Sequence, residues 1–365
     1  MTSRNTLRTS ARICLLFMVV LLSFSCENTD ATIVPDKEPE PKQEPETSNV
    51  VPLPLVTIST NGAQIVDEPK VNGDMTLADT DGVVQYEGRI GIEFRGASSQ
   101  AIFNKKQYGL ETRDANDNDL DAAFLSFPEE EDWVLHAPYS DKSLVRNHLI
   151  YNLAREMGNY ASRSELVELN LNGRYDGLYV FMEKLKRGKN RIDIGKLNPD
   201  EVSGEDLTGG YIIKIDKLNG GNSSGEYNDQ NSFTSNVPPV GSSVGQTIKF
   251  LYDYPASGEI VPEQRAYISN YVADFETALS SANFADPDIG YANYIDVDSF
   301  IDFFILNECS NNVDGYRIST FLHKDKGEKL RAGPIWDFNI AFGNADYCEG
   351  GEPTVWAYKF NERGP

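Results

Sequence analysis

Apolar residues recur at three- and four-residue steps in three stretches of the chain, and this spacing predicts amphipathic helices. The first helix follows an N-cap at Ser140-Asp141 and runs to Met157, and the second begins at Pro262. The third ends at the turn formed by residues 311–315. The core-facing stripes are expected at Leu144, Leu149, Leu153 and Met157, at Tyr267, Tyr271, Phe275 and Leu279, and at Phe300, Ile301, Phe304 and Ile305.

Alternating apolar and polar positions predict strands, most of them in the first half of the chain. The clearest signal is a β-hairpin, in which Asn172-Gly173 separates two alternating runs. A long Gly/Asn/Ser-rich loop is expected over residues 219–246. Strands before helices predict an α+β fold. The other strands are expected over residues 55–67, 86–93, 132–135, 209–216, 316–323 and 330–342.

The first 25 residues have the pattern of a bacterial export signal. Three arginines and no acidic residue precede an apolar run from Ile13 to Leu22, which is too short to span a membrane stably. Cys26 follows Ser23-Phe24-Ser25 and resembles the lipidated cysteine of a lipoprotein, although Ser23 stands where an apolar residue is usual. The alternative is an ordinary secretory signal cleaved near Ser25.

Residues 26–54 are rich in Pro and Glu and cannot bury a core, so we expect an extended tether. A lipid on Cys26 would then anchor the protein to the membrane, at the outer membrane or the cell surface and outside the cytoplasm. Residues 55–365 remain for a large folded domain.

The charge of the chain excludes one class of partner. The net charge is −23, and it becomes −26 once the three leader arginines are removed. Such an acidic protein is a poor candidate for non-specific nucleic-acid binding. A phosphorylated ligand would have to be held by a few placed cations together with a metal ion.

A Gly/Ser loop offers one place for such cations. Residues 95–99 read Arg-Gly-Ala-Ser-Ser, and Lys105 and Lys106 follow on the next strand. Backbone N–H groups beside two lysines can cradle an anion. The alternative is a solvated hairpin with charged flanks, and adjacent strand residues point to opposite faces, so only one lysine could point into a site.

Two carboxylates stand near the ends of the two C-terminal strands. Asp314 precedes the expected hairpin and Asp337 lies near its close, so the pairing can bring them together although they are 23 residues apart. They could share a divalent metal ion, or one could act as a base while the other binds metal. Asp314 could equally be an Asp-Gly turn residue, whereas Asp337 between Trp336 and Phe338 is costly to bury without a partner.

Several of these segments together resemble the CotH kinase family, named for a spore-coat protein. Besides the Arg95–Ser99 loop with Lys105-Lys106, the matching motifs are DWVLHAPYSDKSLVRNHLIYNLAREMG at 132–158, LNGRYDGLYVFMEKLK at 171–186, GGYIIKID at 209–216, and NNVDGYR…AGPIWDFN at 311–339. The resemblance covers about residues 55–345. It implies a divergent protein-kinase-like fold with a strand-rich N-lobe, about residues 55–216, and a helix-rich C-lobe, about residues 255–365. Family members usually continue with more helical sequence, so the C-lobe is expected to be incomplete in this chain.

The same resemblance implies transfer of the γ-phosphate of ATP to serine or threonine of a protein, with Mg²⁺ or Mn²⁺. Asp314 would be the catalytic aspartate that orients the acceptor hydroxyl, and Asp337 would bind the metal. Ordinary kinases have an asparagine five residues after the catalytic aspartate, where this chain has Ser319. We therefore expect Asn312 or Asn339 as the further metal ligand, with Asn311 also open.

The nucleotide would contact cations and hydroxyl groups of the N-lobe. We expect these contacts from Arg95, Ser98, Ser99, Lys105, Lys106 and Lys214. Glu183 is a candidate ion-pair partner for one of the cations, or else a surface acid at a strand end. Transfer of AMP in the same cleft is a variant of this hypothesis. The main alternative is a non-catalytic surface lipoprotein that uses the kinase-like scaffold for adhesion or assembly, whereas the catalytic hypothesis requires a protein substrate at the envelope or cell surface.

Overall fold

The computed structural model describes residues 52–218, 225–239, 241–243 and 245–359. The predicted export signal, Cys26 and nearly all of the tether lie outside this part of the chain. No described helix is both long enough and apolar enough to cross a membrane.

The described chain is a strand-rich mixture of fourteen strands, four α-helices and three single-turn 3-10 helices. The α-helices are α1 (Ser98–Ile102), α2 (Arg146–Glu156), α3 (Pro262–Ser280) and α4 (Val297–Cys309). The strands are β1 (Leu55–Ser59), β2 (Val71–Ala78), β3 (Val84–Arg95), β4 (Gln107–Arg113), β5 (Ala122–Phe124), β6 (Phe127–Glu130), β7 (Asp132–His136), β8 (Ser164–Leu171), β9 (Arg174–Glu183), β10 (Tyr211–Ile215), β11 (Ser232–Thr234), β12 (Lys249–Tyr254), β13 (Thr320–Lys324) and β14 (Leu330–Ala332).

Seven strands close into a barrel in the order β1-β2-β3-β4-β7-β9-β8. All neighbours are antiparallel except β1 and β8, which pair in parallel and close the barrel. The predicted hairpin is confirmed as β8 and β9. Alternating apolar residues fill the interior, where Trp133 and Phe181 pack against Phe124 and Phe127 of the small β5–β6 sheet.

A second sheet has the order β11-β12-β10-β13-β14. Its central strand is β10, as the sequence predicts, although β10 was expected to belong to the N-lobe. Helices α3 and α4 contribute to its apolar core together with Tyr211, Ile213 and Leu330. Within residues 255–359, α3 and α4 are much longer than the two short strands β13 and β14, as expected for a helix-rich C-lobe. These helices pack on a sheet whose other three strands, β10 to β12, come from the preceding part of the chain.

Helix α2 differs from the prediction in where it begins and in the face that it buries. The Asp141 carboxylate accepts bonds from the backbone N–H groups of Ser143 (2.9 Å) and Arg146 (2.9 Å) and thereby closes a turn, so the helix begins only at Arg146. Leu149 and Leu153 are exposed. The buried residues are Asn147, Ile150, Tyr151 and Ala154, so two polar side chains one helical turn apart point inward.

The two C-terminal strands are shorter than predicted. Residues 311–317 form turns, and β13 begins only at Thr320. Strand β14 ends at Ala332, because Pro334 has no N–H group to continue the ladder. Asp314 and Asp337 therefore lie on irregular segments that flank the β13–β14 pair. In the first half, α1 occupies part of the expected Gly/Ser loop.

Two glycines allow β10 to enter the second sheet. A Cβ atom on Gly209 would lie 1.9 Å from the backbone N of Lys326, and one on Gly210, at φ +85°, would lie 2.7 Å from the carbonyl oxygen of Gly195. These contacts are with backbone atoms, which cannot move aside as a flexible side chain would.

We therefore expect Gly209→Ala to lower the free energy of unfolding by about 2 kcal/mol or more, as overpacking does in cores. Urea denaturation of the full chain measures this. The matched control is Gly258→Ala, since a Cβ on Gly258 meets nothing within 4 Å. Equal stability of the two variants would show that the close approach at Gly209 is not a constraint.

Candidate active site

A cavity of about 840 Å³ lies where the end of β3, helix α1, helix α2 and the end of β10 meet the two C-terminal segments. Both predicted carboxylates line it, so the structure brings Asp314 and Asp337 together. The other predicted site residues in its walls are Arg95, Ser98, Ser99, Lys214 and Asn339.

Helix α2 fixes the backbone at Asp337. The Asp337 N–H donates to the hydroxyl of Tyr151 (3.0 Å), and the Phe338 N–H donates to Oδ1 of Asn147 (2.7 Å). Asp337 has φ +61°, a left-handed conformation that L-residues seldom adopt without support. The two bonds from neighbouring turns of α2 supply that support and direct the carboxylate into the cavity.

Asp337 lines the cavity and is exposed to its open space, with the cavity walls around it. Desolvation by the surrounding protein, followed by repulsion from Asp314 and Asp216, raises the pKa of Asp337 to about 6, although Arg95 opposes the increase. Burial also raises the pKa of Asp314, against the effects of Arg317, Tyr347 and Lys217. Two carboxylates that both resist ionisation are a donor set that a divalent cation would stabilise. Asp337, Asp314 and the side-chain oxygen of Asn339 fit such an ion.

The turn that carries Asp314 is held by asparagine side chains. Asn312 donates to Oδ1 of Asn307 (3.0 Å) and accepts from the Asp314 N–H (3.3 Å). Only glycine fits at position 315, because a Cβ atom there would lie 1.9 Å from Oδ1 of Asn307. At the carboxylate, Arg317 forms an ion pair and the Tyr347 hydroxyl donates a bond of 3.2 Å. Asp314 is thus oriented from both sides.

Among the predicted cations, Arg95 lies against Trp336 and Asp337. Its guanidinium stacks over the Trp336 ring at 5.2 Å from the centroid. Burial lowers the pKa of Arg95, and among the neighbouring charges Asp337 does most to raise it again. Lys217, which the sequence analysis overlooked, lines the same cavity and contacts Oγ of Ser98 at 3.4 Å. Lys214 also lines the cavity, but its Nζ is paired with Asp253 at 2.7 Å.

Four of the expected contacts are corrected by the structure, because other groups hold these side chains and none of them lines the cavity. Lys105 donates to the carbonyl oxygen of Leu178, and Lys106 donates to the carbonyl oxygens at the end of α1. Glu183 is buried and forms ion pairs with Arg163 and Arg191, so it is neither a surface acid nor a partner of the cavity cations. Asn312 uses both ends of its amide within the Asp314 turn.

The structure adds polar residues that sequence patterns gave little reason to select. His136, Gln107, Asn147 and Tyr151 line the cavity and come from β7, β4 and α2. Asn147 and Tyr151 stand four residues apart, a helical spacing that could have indicated a shared polar face. For Lys217 the only signal is its position directly after the GGYIIKID motif.

Within the described residues, the group of three acids whose oxygens lie within 4.8 Å of one another is Asp121, Glu130 and Glu131. Lys186 donates to Glu130 (2.9 Å) and Glu131 (2.5 Å), so an ammonium group already compensates this cluster. None of the three acids lines the cavity.

Residues 92–363 match the protein family described as CotH kinase protein. A search of the curated proteins gives no match. The matched segment includes every residue that lines the cavity.

The raised pKa of Asp337 predicts how the metal-free protein responds to pH. The folded state favours the neutral acid, so the stability that this proton contributes is present below 3.8, the ordinary pKa of an aspartate, and is lost as the pH rises through about 6. Asp337→Asn, which stays neutral, should therefore be as stable as the wild type well below pH 3.8 and more stable above pH 6. Thermal unfolding across this range, with chelator present, measures the difference.

The matched control has the opposite sign. Backbone bonds from Val83 and neighbouring residues lower the pKa of Asp79, so Asp79→Asn should lose stability relative to the wild type as the pH rises. A pH-independent difference for Asp337→Asn would contradict the raised pKa.

Proposed function

Because the chain belongs to the CotH kinase family, we propose that it transfers the γ-phosphate of ATP to a serine or threonine hydroxyl of a partner protein. The observation that carries this proposal is the meeting of Asp314, Asp337, Arg95 and Lys217 in one cavity. Phosphoryl transfer needs placed charges more than covalent chemistry, and two acids with two cations meet that need.

Asp314 is the residue proposed to act on the acceptor. The acceptor oxygen forms a bond to the γ-phosphorus, the bond from that phosphorus to the bridging oxygen breaks, and ADP leaves with the electron pair. The acceptor proton passes to the Asp314 carboxylate. Its raised pKa suits it to receive a proton, and Arg317 with Tyr347 keeps it oriented.

Asp337 and Asn339 would hold the divalent ion, Mg²⁺ or Mn²⁺, and Asp314 in the same cavity would assist them. When bound, the ion would neutralise phosphate charge. Arg95 and Lys217 contribute positive charge from the cavity walls, and Ser98 and Ser99 contribute hydroxyl groups. The strongly acidic chain thus concentrates a few cations where triphosphate would lie.

Substitution of the two acids tests the proposal. We expect Asp314→Asn to reduce kcat by about 100-fold or more while MgATP still binds, because it removes an acid–base group. Asp337→Asn should abolish metal-dependent nucleotide binding. Radiolabelled γ-phosphate transfer and calorimetric MgATP binding by the full chain measure these effects.

Lys105→Met is the matched control, because Lys105 is a cation beside the Gly/Ser loop whose Nζ is directed away to Leu178. It should retain wild-type MgATP affinity, whereas Lys217→Met should weaken it. A folded wild-type chain that binds no nucleotide with Mg²⁺ or Mn²⁺ would refute the enzyme and favour the non-catalytic surface lipoprotein. Labelling from the α-phosphate instead would indicate AMP transfer.

We further propose that Cys26 carries a lipid and that the partner protein is at the envelope or cell surface. The support is the arrangement of export signal, cysteine and Pro/Glu-rich tether. Cys26→Ser should move the protein from the membrane fraction to the soluble fraction of the producing cell and abolish labelling by a radioactive fatty acid. Continued labelling of the variant would rule out this attachment site.

A further inference from the structure

Four hydrogen bonds connect the backbone next to Asp337 with the hydroxyl of Ser99 across the back of the cavity. The Phe338 N–H contacts Oδ1 of Asn147 (2.7 Å), and Nδ2 of Asn147 contacts Nε2 of His136 (3.3 Å). Nδ1 of His136 contacts Oε1 of Gln107 (2.8 Å), and Nε2 of Gln107 contacts Oγ of Ser99 (3.0 Å). This series of hydrogen bonds joins the segment that carries Asp337 to the Gly/Ser loop.

The first bond, donated by the Phe338 N–H, determines which group donates and which accepts in the other three. A backbone N–H can only donate, so the Asn147 oxygen must face Phe338 and its amino group must face His136. Nε2 of His136 then accepts, which requires a neutral ring with its proton on Nδ1. That proton is donated to Oε1 of Gln107, and the Gln107 amino group donates to Ser99.

The surroundings of His136 favour this neutral form. Burial, followed by the positive charge of Arg95, lowers the pKa of His136 to about 4, although Asp141 opposes the decrease. The ring is therefore neutral near pH 7. Protonation would place an N–H group opposite the Asn147 amino group and break the second bond.

The last bond leaves the Ser99 hydroxyl proton uncommitted. Oγ of Ser99 accepts from Gln107, and within the described chain no acceptor is found for its proton. Ser99 lines the cavity, and Oγ lies where a Cβ on Gly96 would be only 2.1 Å away, so the loop leaves room for this hydroxyl only because residue 96 is glycine. The free proton can therefore point into the cavity.

We propose that the Ser99 hydroxyl donates to a phosphate oxygen of the bound nucleotide, and that the Phe338–Asn147–His136–Gln107 chain holds it in the donating orientation. The inference rests on the proposed function and deepens it, since it names a contact and the residues that position it. If the Gln107 amide reversed, its oxygen would face Ser99 and take the proton that the nucleotide needs.

Two substitutions of His136 separate this positioning role from a packing role. The amide nitrogen of His136→Asn is as many bonds from Cα as Nδ1 of histidine, so it can still donate to Gln107. His136→Phe fills the space of the ring better but has no donor. Both variants lose the Nε2 acceptor, so that loss is common to the pair.

We expect His136→Phe to raise the Kd for MgATP about tenfold, because it weakens the hydrogen bond from Ser99 to the charged phosphate. His136→Asn should raise the Kd clearly less. Thermal stability should show the opposite order, because asparagine leaves a cavity. Calorimetry on the full chain at pH 7.5 measures the affinities, with adenosine as the phosphate-free probe whose affinity should not change.

A double-mutant cycle tests the link from Gln107 to Ser99. Ser99→Ala and Gln107→Met should each raise the Kd for MgATP about tenfold. The double variant should bind no more weakly than either single variant, because both substitutions remove the same phosphate contact. Gln85→Met, an exposed glutamine on β3, is the matched control and should bind normally.

The outcomes distinguish the two levels of the proposal. If the wild type binds MgATP but His136→Asn binds more weakly than His136→Phe, or Ser99→Ala binds normally, the positioning chain is refuted and the phosphotransferase stands. Additive losses in the cycle would also refute it. If the wild-type chain binds no MgATP, both proposals fail.

Discussion

Two backbone N–H groups, those of Asp337 and Phe338, are held by Tyr151 and Asn147, side chains one turn apart on α2. This clamp maintains a left-handed aspartate, a conformation that costs an L-residue about 1–2 kcal/mol. Without these two hydrogen bonds, nothing would hold the backbone of Asp337 in the conformation that directs its carboxylate into the cavity. The clamp explains why α2 buries two polar side chains, Asn147 and Tyr151.

The clamp also links the parts of the fold. Helix α2 packs its apolar residues Ile150 and Ala154 in a core that includes residues of β9 and α4, and its polar residues reach the segment after β14. Asp314 is positioned independently, by Asn307 at the end of α4 and by Asn312 in the turn. The acids therefore meet because separate elements hold them, and the repulsion between them is tolerated because Arg95 and Lys217 lie nearby.

Much of this arrangement could be predicted from the sequence, but for uneven reasons. The hairpin at Asn172-Gly173 and the central strand β10 have strong local signals, and the two aspartates stand in motifs specific enough to identify the family. The inward face of α2 could not be predicted from apolar spacing, because its function is to bind backbone N–H groups. Nor does sequence spacing show that Leu178 captures Lys105, since that contact joins residues 73 positions apart. Local patterns identified the acids, whereas long-range contacts decided which cations accompany them.

The central claim is that Asp337, held by α2, binds a metal ion together with nucleotide in the cavity. The most direct test is a crystal structure of the full chain with Mn²⁺ and a non-hydrolysable ATP analogue, read by anomalous scattering. We expect a manganese peak bonded to the Asp337 carboxylate, with the phosphates between Ser99 and Arg95. Manganese at Asp121, Glu130 and Glu131 instead, with no nucleotide in the cavity, would contradict it.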